Sequence, residues 1–183
     1  MRGAVMRKSV VLVAVALALS VAAAASMAYQ RGFETVTSTG VVYRVIDADT
    51  MVVNLSDPSA YRQMVALSED DPDRTRYLND RFESIRVRLA NVDTPESVHP
   101  DASRNTAEGR QLSEMAKTML EGQPTRVTCF DWGDFGRAIC SLEKPSGRDF
   151  GEWLISEGHS PYVTRWGRHP YLDEMYRNAA NQE

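Results

Sequence analysis

Apolar and polar residues alternate along several short segments of the chain, a pattern typical of β-strands. Residues 41–55, VVYRVIDADTMVVNL, contain two β-rich runs separated by the letters DAD. Residues 85–92, 125–130 and 137–142 show a similar pattern, and the last two flank a glycine-containing loop that favours a hairpin. The pattern therefore predicts five short strands.

Three later segments have the spacing of amphipathic helices. The clearest follows Asn105, a predicted N-cap, a shorter one follows Asp149, and the last begins at Pro170. The charged segment 56–84 lacks clear periodicity and is predicted to be an insertion that runs over the surface. Because five short strands cannot bury both faces as an open sheet, a small closed barrel with packed helices is expected.

The first 28 residues have the order of a targeting segment, with a basic start, an apolar run at residues 10–25 and small residues around Met27. We expect cleavage of a signal peptide after Ala28, followed by a linker at residues 29–40 and a domain at residues 41–183. The alternative is an uncleaved membrane anchor through residues 9–28, since about 20 apolar residues can span a bilayer. Either alternative places the rest of the chain outside the cytoplasm, as a secreted or a membrane-anchored protein.

Composition limits the remainder to one compact domain. The 183 residues are 43% hydrophobic and 25% charged, which excludes a disordered, collagenous or disulfide-dense chain. The net charge is −4, so nucleic-acid binding would have to come from a local basic site. Cys129 and Cys140 fall on the predicted hairpin, where they can form a disulfide in an oxidising compartment or remain two buried thiols.

Two acidic clusters follow predicted strands, DADT at residues 47–50 and DTPE at residues 93–96. Carboxylates that converge at strand ends suit Ca²⁺ or Mg²⁺, because these hard cations prefer oxygen ligands. The same sequences are also common in solvated turns. The pattern alone leaves the metal site and the solvated turn as alternatives.

Arg88 and Arg137 lie near the same strand ends. Two guanidiniums beside a cation match the oxygens of a phosphodiester, although both arginines could instead pair with surface carboxylates. Strict strand alternation places Arg88 and Asp93 on opposite faces, because their separation of five positions is odd. Their convergence therefore requires a bend near residues 91–93.

Four motifs in this order resemble the staphylococcal nuclease family: VIDADT, RLANVDTPESVHP, DFGRAICSL and GEWLISEG. The resemblance extends over residues 41–183. It implies an α+β architecture, the OB-fold, in which a five-stranded β-barrel carries three packed α-helices. It also implies a calcium-dependent phosphodiesterase that acts on DNA and RNA, and we expect a monomer.

The resemblance implies roles for individual residues as well. Asp49 and Asp93 match the family's calcium carboxylates, and Thr94 matches the residue that adds its backbone carbonyl. The remaining matches are Glu96 for the general base, and Arg88 with Arg137 for the pair that binds the phosphate and stabilises the transition state.

Phe135, Tyr162 and Trp166 are predicted to contact substrate, since aromatic rings stack on nucleobases, although packing at the barrel rim is the alternative. The chain departs from the family where Phe135 replaces a common tyrosine and Asp134 a common lysine. Ala48 replaces a glycine, and a positive φ at that position would strain the alanine.

The predicted function is an exported, calcium-dependent nuclease that hydrolyses phosphodiester bonds of DNA and RNA by metal- and arginine-assisted attack of water. The alternative is a catalytically silent OB-fold module that binds single-stranded nucleic acid or a protein partner. The complete set of charged catalytic positions favours the enzyme, whereas the acidic net charge and the altered residues 134–135 favour the module.

Overall fold

A computed structural model of the chain describes residues 33–182. The signal peptide or anchor predicted at residues 1–28, and the first part of the predicted linker, lie outside the described residues. Within residues 33–182, no helix is both long and apolar enough to cross a membrane.

Five strands form a closed barrel, which confirms the predicted OB-fold architecture. Along the sheet the strand order is β2, β1, β5, β6, β4, and pairing of β2 with β4 closes it. Neighbouring barrel strands are antiparallel except β4 and β6, which are parallel. A two-residue strand, β3, adds to the edge of β4. The bounds are β1 Val36–Asp47, β2 Thr50–Leu55, β3 Leu78–Asn79, β4 Ser84–Leu89, β5 Pro124–Trp132 and β6 Ala138–Glu143.

The three predicted helices are present, and two more lie in the insertion. The described helices are α1 Pro58–Ala66, α2 Pro72–Thr75, α3 Ala107–Leu120, α4 Phe150–Ser156 and α5 Asp173–Ala180, with a 3₁₀ turn at Ala102–Arg104. Thr106 rather than the predicted Asn105 caps α3, because its hydroxyl accepts the amide hydrogen of Gly109 at 2.9 Å. The last helix begins at Asp173, three residues after the predicted start at Pro170.

The barrel interior is apolar because alternate residues of each strand point inward. In β1 the burial alternates along most of the strand, and α3 packs against β1 with its apolar face. The buried side chains of this core include Val42, Val45, Met51, Val53, Ile85, Val87, Leu112, Leu120, Val127 and Leu142.

Residues 36–40, assigned to the linker from the sequence, form the beginning of β1. Val36 and Ser38 are buried at 4% and 5% exposure, and this end of the strand pairs with β5 from Val36 opposite Cys129 to Val41 opposite Pro124. The polar sequence TSTG hid the strand, because its inward positions hold a serine and a glycine rather than large apolar residues.

The insertion at residues 56–84 lies largely on the surface as predicted, but it contains two helices and the strand β3, which its lack of periodicity did not indicate. Asp57 caps α1 by accepting the Ser59 amide hydrogen at 2.8 Å, and Asp71 caps α2 in the same way. The helices are short, and α1 buries only Ala60, Tyr61 and Met64. Three buried residues are too few to show a helical period in the sequence. The pairs Asp57-Pro58 and Asp71-Pro72 did indicate helix starts, because aspartate is a common N-cap and proline a common first helical residue.

The insertion packs against the loop between β5 and β6. Gly136 lies so close to α2 that an added methyl group would overlap the carbonyl of Asp73. Arg76 donates to the Phe135 carbonyl at 3.3 Å, and the Arg74 guanidinium lies 5.3 Å from the centre of the Trp132 ring. The loop that precedes Arg137 is therefore held from outside by the insertion.

Cys129 and Cys140 face each other across β5 and β6 and form a disulfide. The two alternatives left open by the sequence are thus resolved in favour of the bridge. The disulfide joins the two strands that lead into and out of the loop before Arg137.

Helix α3 approaches the DTPE segment closely at Gly109. The Glu96 carbonyl accepts the amide hydrogen of Thr106 at 2.9 Å, and an added methyl group on Gly109 would overlap the carbonyl oxygens of Pro95 and Glu96. Glycine is required here for space rather than for backbone conformation, so this contact sets the position of Glu96.

Reduction of the disulfide is expected to lower the free energy of unfolding by about 3 kcal/mol, because the bridge closes a short loop that the unfolded chain would otherwise leave open. Urea denaturation of the wild type with and without reductant measures this loss. The double variant Cys129→Ala/Cys140→Ala is the control, since reductant should leave its midpoint unchanged. An identical wild-type midpoint in both conditions would contradict the bridge.

Gly109→Ala is expected to destabilise the protein although alanine favours a helix over glycine by about 1 kcal/mol. The reason is the overlap with the 95–96 carbonyls, which should also speed amide hydrogen exchange in residues 93–97. The exposed Gln111→Ala in the same helix is the matched control, with equal or higher stability expected. A Gly109→Ala protein more stable than wild type would show that the approach is looser than described.

Candidate functional site

Asp49 is the centre of the site. It lies in the tight turn between β1 and β2 and is 5% exposed. Its carboxylate accepts hydrogen bonds from the Thr50 hydroxyl at 3.0 Å and the Thr94 hydroxyl at 2.9 Å, and it forms an ion pair with Arg88. A buried carboxylate needs such partners to remain charged, and here they come from three segments of the chain.

Arg88 joins both acidic clusters. It lies on β4 opposite Thr50 of β2. Its guanidinium pairs with Asp49, donates to Asp93 at 3.2 Å and to the Val92 carbonyl at 3.1 Å. The structure thus brings together three residues that sequence reasoning assigned to one site.

Asn91 provides the bend that this convergence requires. Its φ of 59° is in the left-handed region, which asparagine tolerates better than most residues. Its side-chain amide donates to the carbonyls of Val163 at 2.7 Å and Gly167 at 2.9 Å. The turn is therefore fixed by the loop that follows α4, and Asp93 is directed to the same side as Arg88.

Sequence reasoning singled out the bend but missed the contacts that hold it. Besides the Asn91 amide, the Ser160 hydroxyl accepts the amide hydrogen of Asp93 at 2.8 Å. Asn91 itself was a usable signal, because asparagine adopts the left-handed conformation more readily than most residues. Nothing in the local sequence pointed to Ser160, because it is 67 positions away.

Arg137 reaches the same corner from the start of β6. It donates to the Thr50 hydroxyl at 3.1 Å, and no ion pair with a carboxylate of residues 33–182 accompanies that bond. Burial, together with the nearby positive charge of Arg137, lowers the pKa of Arg88 to about 10. Arg88 remains charged at neutral pH, so two guanidiniums lie within electrostatic reach of one another and would favour a bound anion.

Glu96 lies in an open cleft beside this corner. The cleft has a volume of about 540 Å³ and is lined by Asp93, Thr94 and Glu96 together with Arg104 and His159. The Glu96 carboxylate is 4.0 Å from the guanidinium of Arg104. Sequence reasoning did not identify Arg104 or His159, which come from the 3₁₀ turn and from the loop after α4.

Asp47, the other acid of the DADT cluster, has a structural task. Its carboxylate accepts hydrogen bonds from the hydroxyls of Ser97 and Ser113, both at 2.8 Å. It thereby links the end of β1 to the residue after Glu96 and to α3. Ala48 is not among the described non-glycine residues with positive φ, so the turn accepts alanine without strain.

The three predicted substrate contacts occupy different surroundings. Phe135 and Trp166 are 67% and 68% exposed. Trp166 lies 3.8 Å below the guanidinium of Arg165, which is itself 3.5 Å from Asp93. The Tyr162 hydroxyl is already committed, since it donates to Asp173 and accepts the amide hydrogen of His169, both at 2.9 Å. A stacking role for Tyr162 stays a prediction.

The donor set at this corner fits a hard cation. Asp49 and Asp93 share one guanidinium, Thr94 follows directly, and all the ligand atoms they offer are oxygens. Within residues 33–182, no group of three or more acidic, histidine or cysteine side chains could hold a metal. A cation here would therefore take further oxygens from backbone, water and a phosphate, as Ca²⁺ and Mg²⁺ commonly do.

Comparison with known proteins agrees with this geometry. Two curated proteins named uncharacterized endonuclease, from Escherichia coli and from Escherichia coli O157:H7, are each 24% identical over 104 residues, which cover 57% of this chain and 63% of each relative. The model of the family described as staphylococcal nuclease homologue matches residues 86–182, which include Arg88, Asp93, Thr94, Glu96 and Arg137. With more than half of its length matched, the chain belongs to the staphylococcal nuclease homologue family.

Proposed function

We propose that this protein is an exported, calcium-dependent nuclease that hydrolyses phosphodiester bonds of DNA and RNA. One observation carries the proposal: Arg88 pairs with both Asp49 and Asp93, while Arg137 bonds to Thr50, the chain neighbour and hydrogen-bond partner of Asp49. Two carboxylates and two guanidiniums from four separate segments thus meet at one corner of the barrel. The family membership supports a nuclease, and the finer assignments rest on the chemistry of these residues.

The two arginines suit the charge that develops during phosphodiester hydrolysis. Attack of water places additional negative charge on the equatorial phosphate oxygens, and preorganised cationic donors stabilise that charge. Arg137 makes one bond to a neutral hydroxyl, so its other N–H groups can bind phosphate. Arg88 is fixed by its carboxylates and contributes a second positive charge at a fixed position.

Asp49, Asp93 and the carbonyl of Thr94 would hold the calcium ion. When bound, the ion would polarise the phosphate and offset its charge. The Thr94 hydroxyl and amide both point to Asp49, at 2.9 and 3.3 Å. These bonds hold the two acidic clusters at a fixed separation, which is the contribution of the chain to such a site.

Glu96 would orient or deprotonate the attacking water. Its side chain is 40% exposed in the cleft next to Asp93, where water has access. The backbone of Glu96 is held by Thr106 and by the approach of Gly109. A general base requires this kind of positioning before its pKa matters.

Stacking of nucleobases on exposed aromatic rings would allow the site to accept both DNA and RNA. Phe135 precedes the Gly136-Arg137 pair, and Trp166 lies beside Arg165 and Asp93. Every nucleobase has an aromatic face, so such rings bind DNA and RNA strands with little sequence preference.

The proposal of export rests on two features. The order of basic, apolar and small residues in positions 1–28 is that of a signal peptide. The Cys129–Cys140 disulfide is the kind of bond that persists in oxidising compartments. The alternative within this proposal is that residues 9–28 are not cleaved and anchor the exported domain to the membrane.

A catalytically silent OB-fold module that binds single-stranded nucleic acid or a protein partner is the second candidate. The net charge of −4 favours the form that binds a protein partner, because it opposes the binding of polyanions over the whole surface. Asp134 and Phe135, where the family commonly has a lysine and a tyrosine, favour the silent form in general; a module that binds nucleic acid would hold a strand at the same exposed rings without cleaving it.

Purified protein is expected to cleave single-stranded DNA and RNA with Ca²⁺ and to lose cleavage with a chelator. Asp93→Asn and Arg137→Ala should each lower the rate by about 10²- to 10³-fold, because each removes a charged group that acts on the reacting phosphate. Gel analysis of labelled oligonucleotides under single-turnover conditions measures the rates.

Arg126→Ala is the matched control, since Arg126 is an exposed arginine of β5 that pairs with Glu143 away from the site. Its rate should equal that of the wild type. Equal cleavage by all four proteins would reveal a contaminating nuclease. Binding without cleavage by the wild type would favour the silent module.

Expression of the full chain in a bacterial host should yield a mature form whose amino terminus is Tyr29, outside the cytoplasm. N-terminal mass spectrometry of cytoplasmic, membrane and external fractions tests this. Intact protein in the membrane fraction would favour the anchor. Intact protein in the cytoplasm would overturn export.

A further inference from the structure

Arg86 lies on the outer surface of the barrel, two residues before Arg88 on β4, although no motif includes it. In the parallel pairing of β4 and β6, Val87 is opposite Ala138, and both are buried. Arg86 and Arg137 each immediately precede this pair, but the backbone position opposite Arg86 on this side of β4 is occupied by Tyr77, whose carbonyl accepts the Arg86 amide hydrogen. Arg88 is two residues further along β4 and shares the same face.

Arg86 has no acidic partner among the described residues. Its guanidinium lies 5.0 Å from the centre of the Tyr77 ring, and its backbone amide donates to the Tyr77 carbonyl at 2.9 Å. The side chain is half-buried. A guanidinium held against a ring face keeps its N–H groups free to donate to an anion, since the cation–π contact does not use them as hydrogen-bond donors.

A second guanidinium, that of Arg76, also lies against the Tyr77 ring. Arg76 lies 4.8 Å from the centre of the same ring, and it reaches the Phe135 carbonyl at 3.3 Å. Although Asp73 pairs with Arg76 at 3.1 Å, the Arg76 side chain is 51% exposed. The insertion therefore gathers two guanidiniums on one ring and connects them to the loop that carries Phe135.

We propose that Arg86, positioned on Tyr77 of the insertion, binds a second phosphate of the nucleic-acid strand next to the phosphate held by Arg88 and Arg137. The inference rests on the proposed function, since it extends that site along a strand. Arg76 lies against the same ring, where its charge is partly offset by Asp73. The insertion is thus a substrate-binding element that lengthens the contact with a polynucleotide.

The charge distribution favours a phosphate over a carboxylate-bearing partner. Arg86 and Arg88 share one face of β4, and Arg137 bonds to Thr50, which lies opposite Arg88. Planar guanidiniums bind phosphate oxygens in pairs. The exposed ring of Phe135 next to them suits a base rather than an acidic side chain. A polynucleotide offers both groups at regular spacing.

Binding of a labelled oligothymidylate to the full-length protein, in buffer with chelator and at several salt concentrations, tests the inference. Arg86→Gln should weaken binding about tenfold at low salt and reduce the slope of log affinity against log salt by about one, because one phosphate contact is lost. Arg62→Gln is the matched control, an exposed arginine of α1 in the same insertion, and should change neither quantity.

Tyr77→Leu separates positioning from charge. This variant keeps both arginines, so affinity should fall while the slope stays near its wild-type value, and Tyr77→Phe should restore the affinity because the ring returns. Thermal unfolding of each variant identifies any loss of fold. If Tyr77→Leu unfolds, the Arg86→Gln result decides alone.

Cleavage of the oligothymidylate and of the dinucleotide TpT, which has a single phosphodiester, provides a second readout. The loss of kcat/KM caused by Arg86→Gln should be larger on the oligonucleotide than on TpT. A wild type that cleaves neither substrate, with weakened binding by Arg86→Gln, would overturn the proposed nuclease and support the second phosphate position. Arg86→Gln binding equal to that of Arg62→Gln would overturn the inference even in an active enzyme.

Discussion

The ion pair between Arg88 and Asp49 is the contact on which the candidate site depends. The two side chains are only 16% and 7% exposed, and loss of one partner would leave the other charge buried without compensation, at a cost of about 3–5 kcal/mol. Asp49 follows β1 and Arg88 lies on β4. Their pairing therefore fixes the side chains at the seam where β2 and β4 close the barrel.

The same guanidinium reaches Asp93 only because the chain turns at Asn91. Without a left-handed residue, five positions along a strand would separate the two side chains onto opposite faces. The Asn91 amide is satisfied by two carbonyls of the loop after α4, so this loop shares in the placement of the acid. The β2–β4 seam therefore positions Asp49 and Arg88, and the loop after α4 positions Asp93.

The sequence was sufficient where a signal is local and repeated. Alternation showed the barrel strands, the Asp149 cap marked α4, and the order of four motifs indicated the family. It was insufficient where the signal depends on pairing or on the size of a buried face. The start of β1 is polar, α1 buries only three side chains, and the significance of Arg86 appears only from its contact with the Tyr77 ring.

The insertion begins and ends on strands that pair with each other, with Asn54 opposite Ser84 at its base. Its two ends are thus neighbours in space however many residues lie between them, and the entropy of closing such a loop rises only slowly with length. Evolution can therefore enlarge, trim or exchange this segment without disturbing the hydrogen-bonded ladder beneath it. The barrel can therefore stay unchanged while segments of different length and sequence are inserted between these two strands.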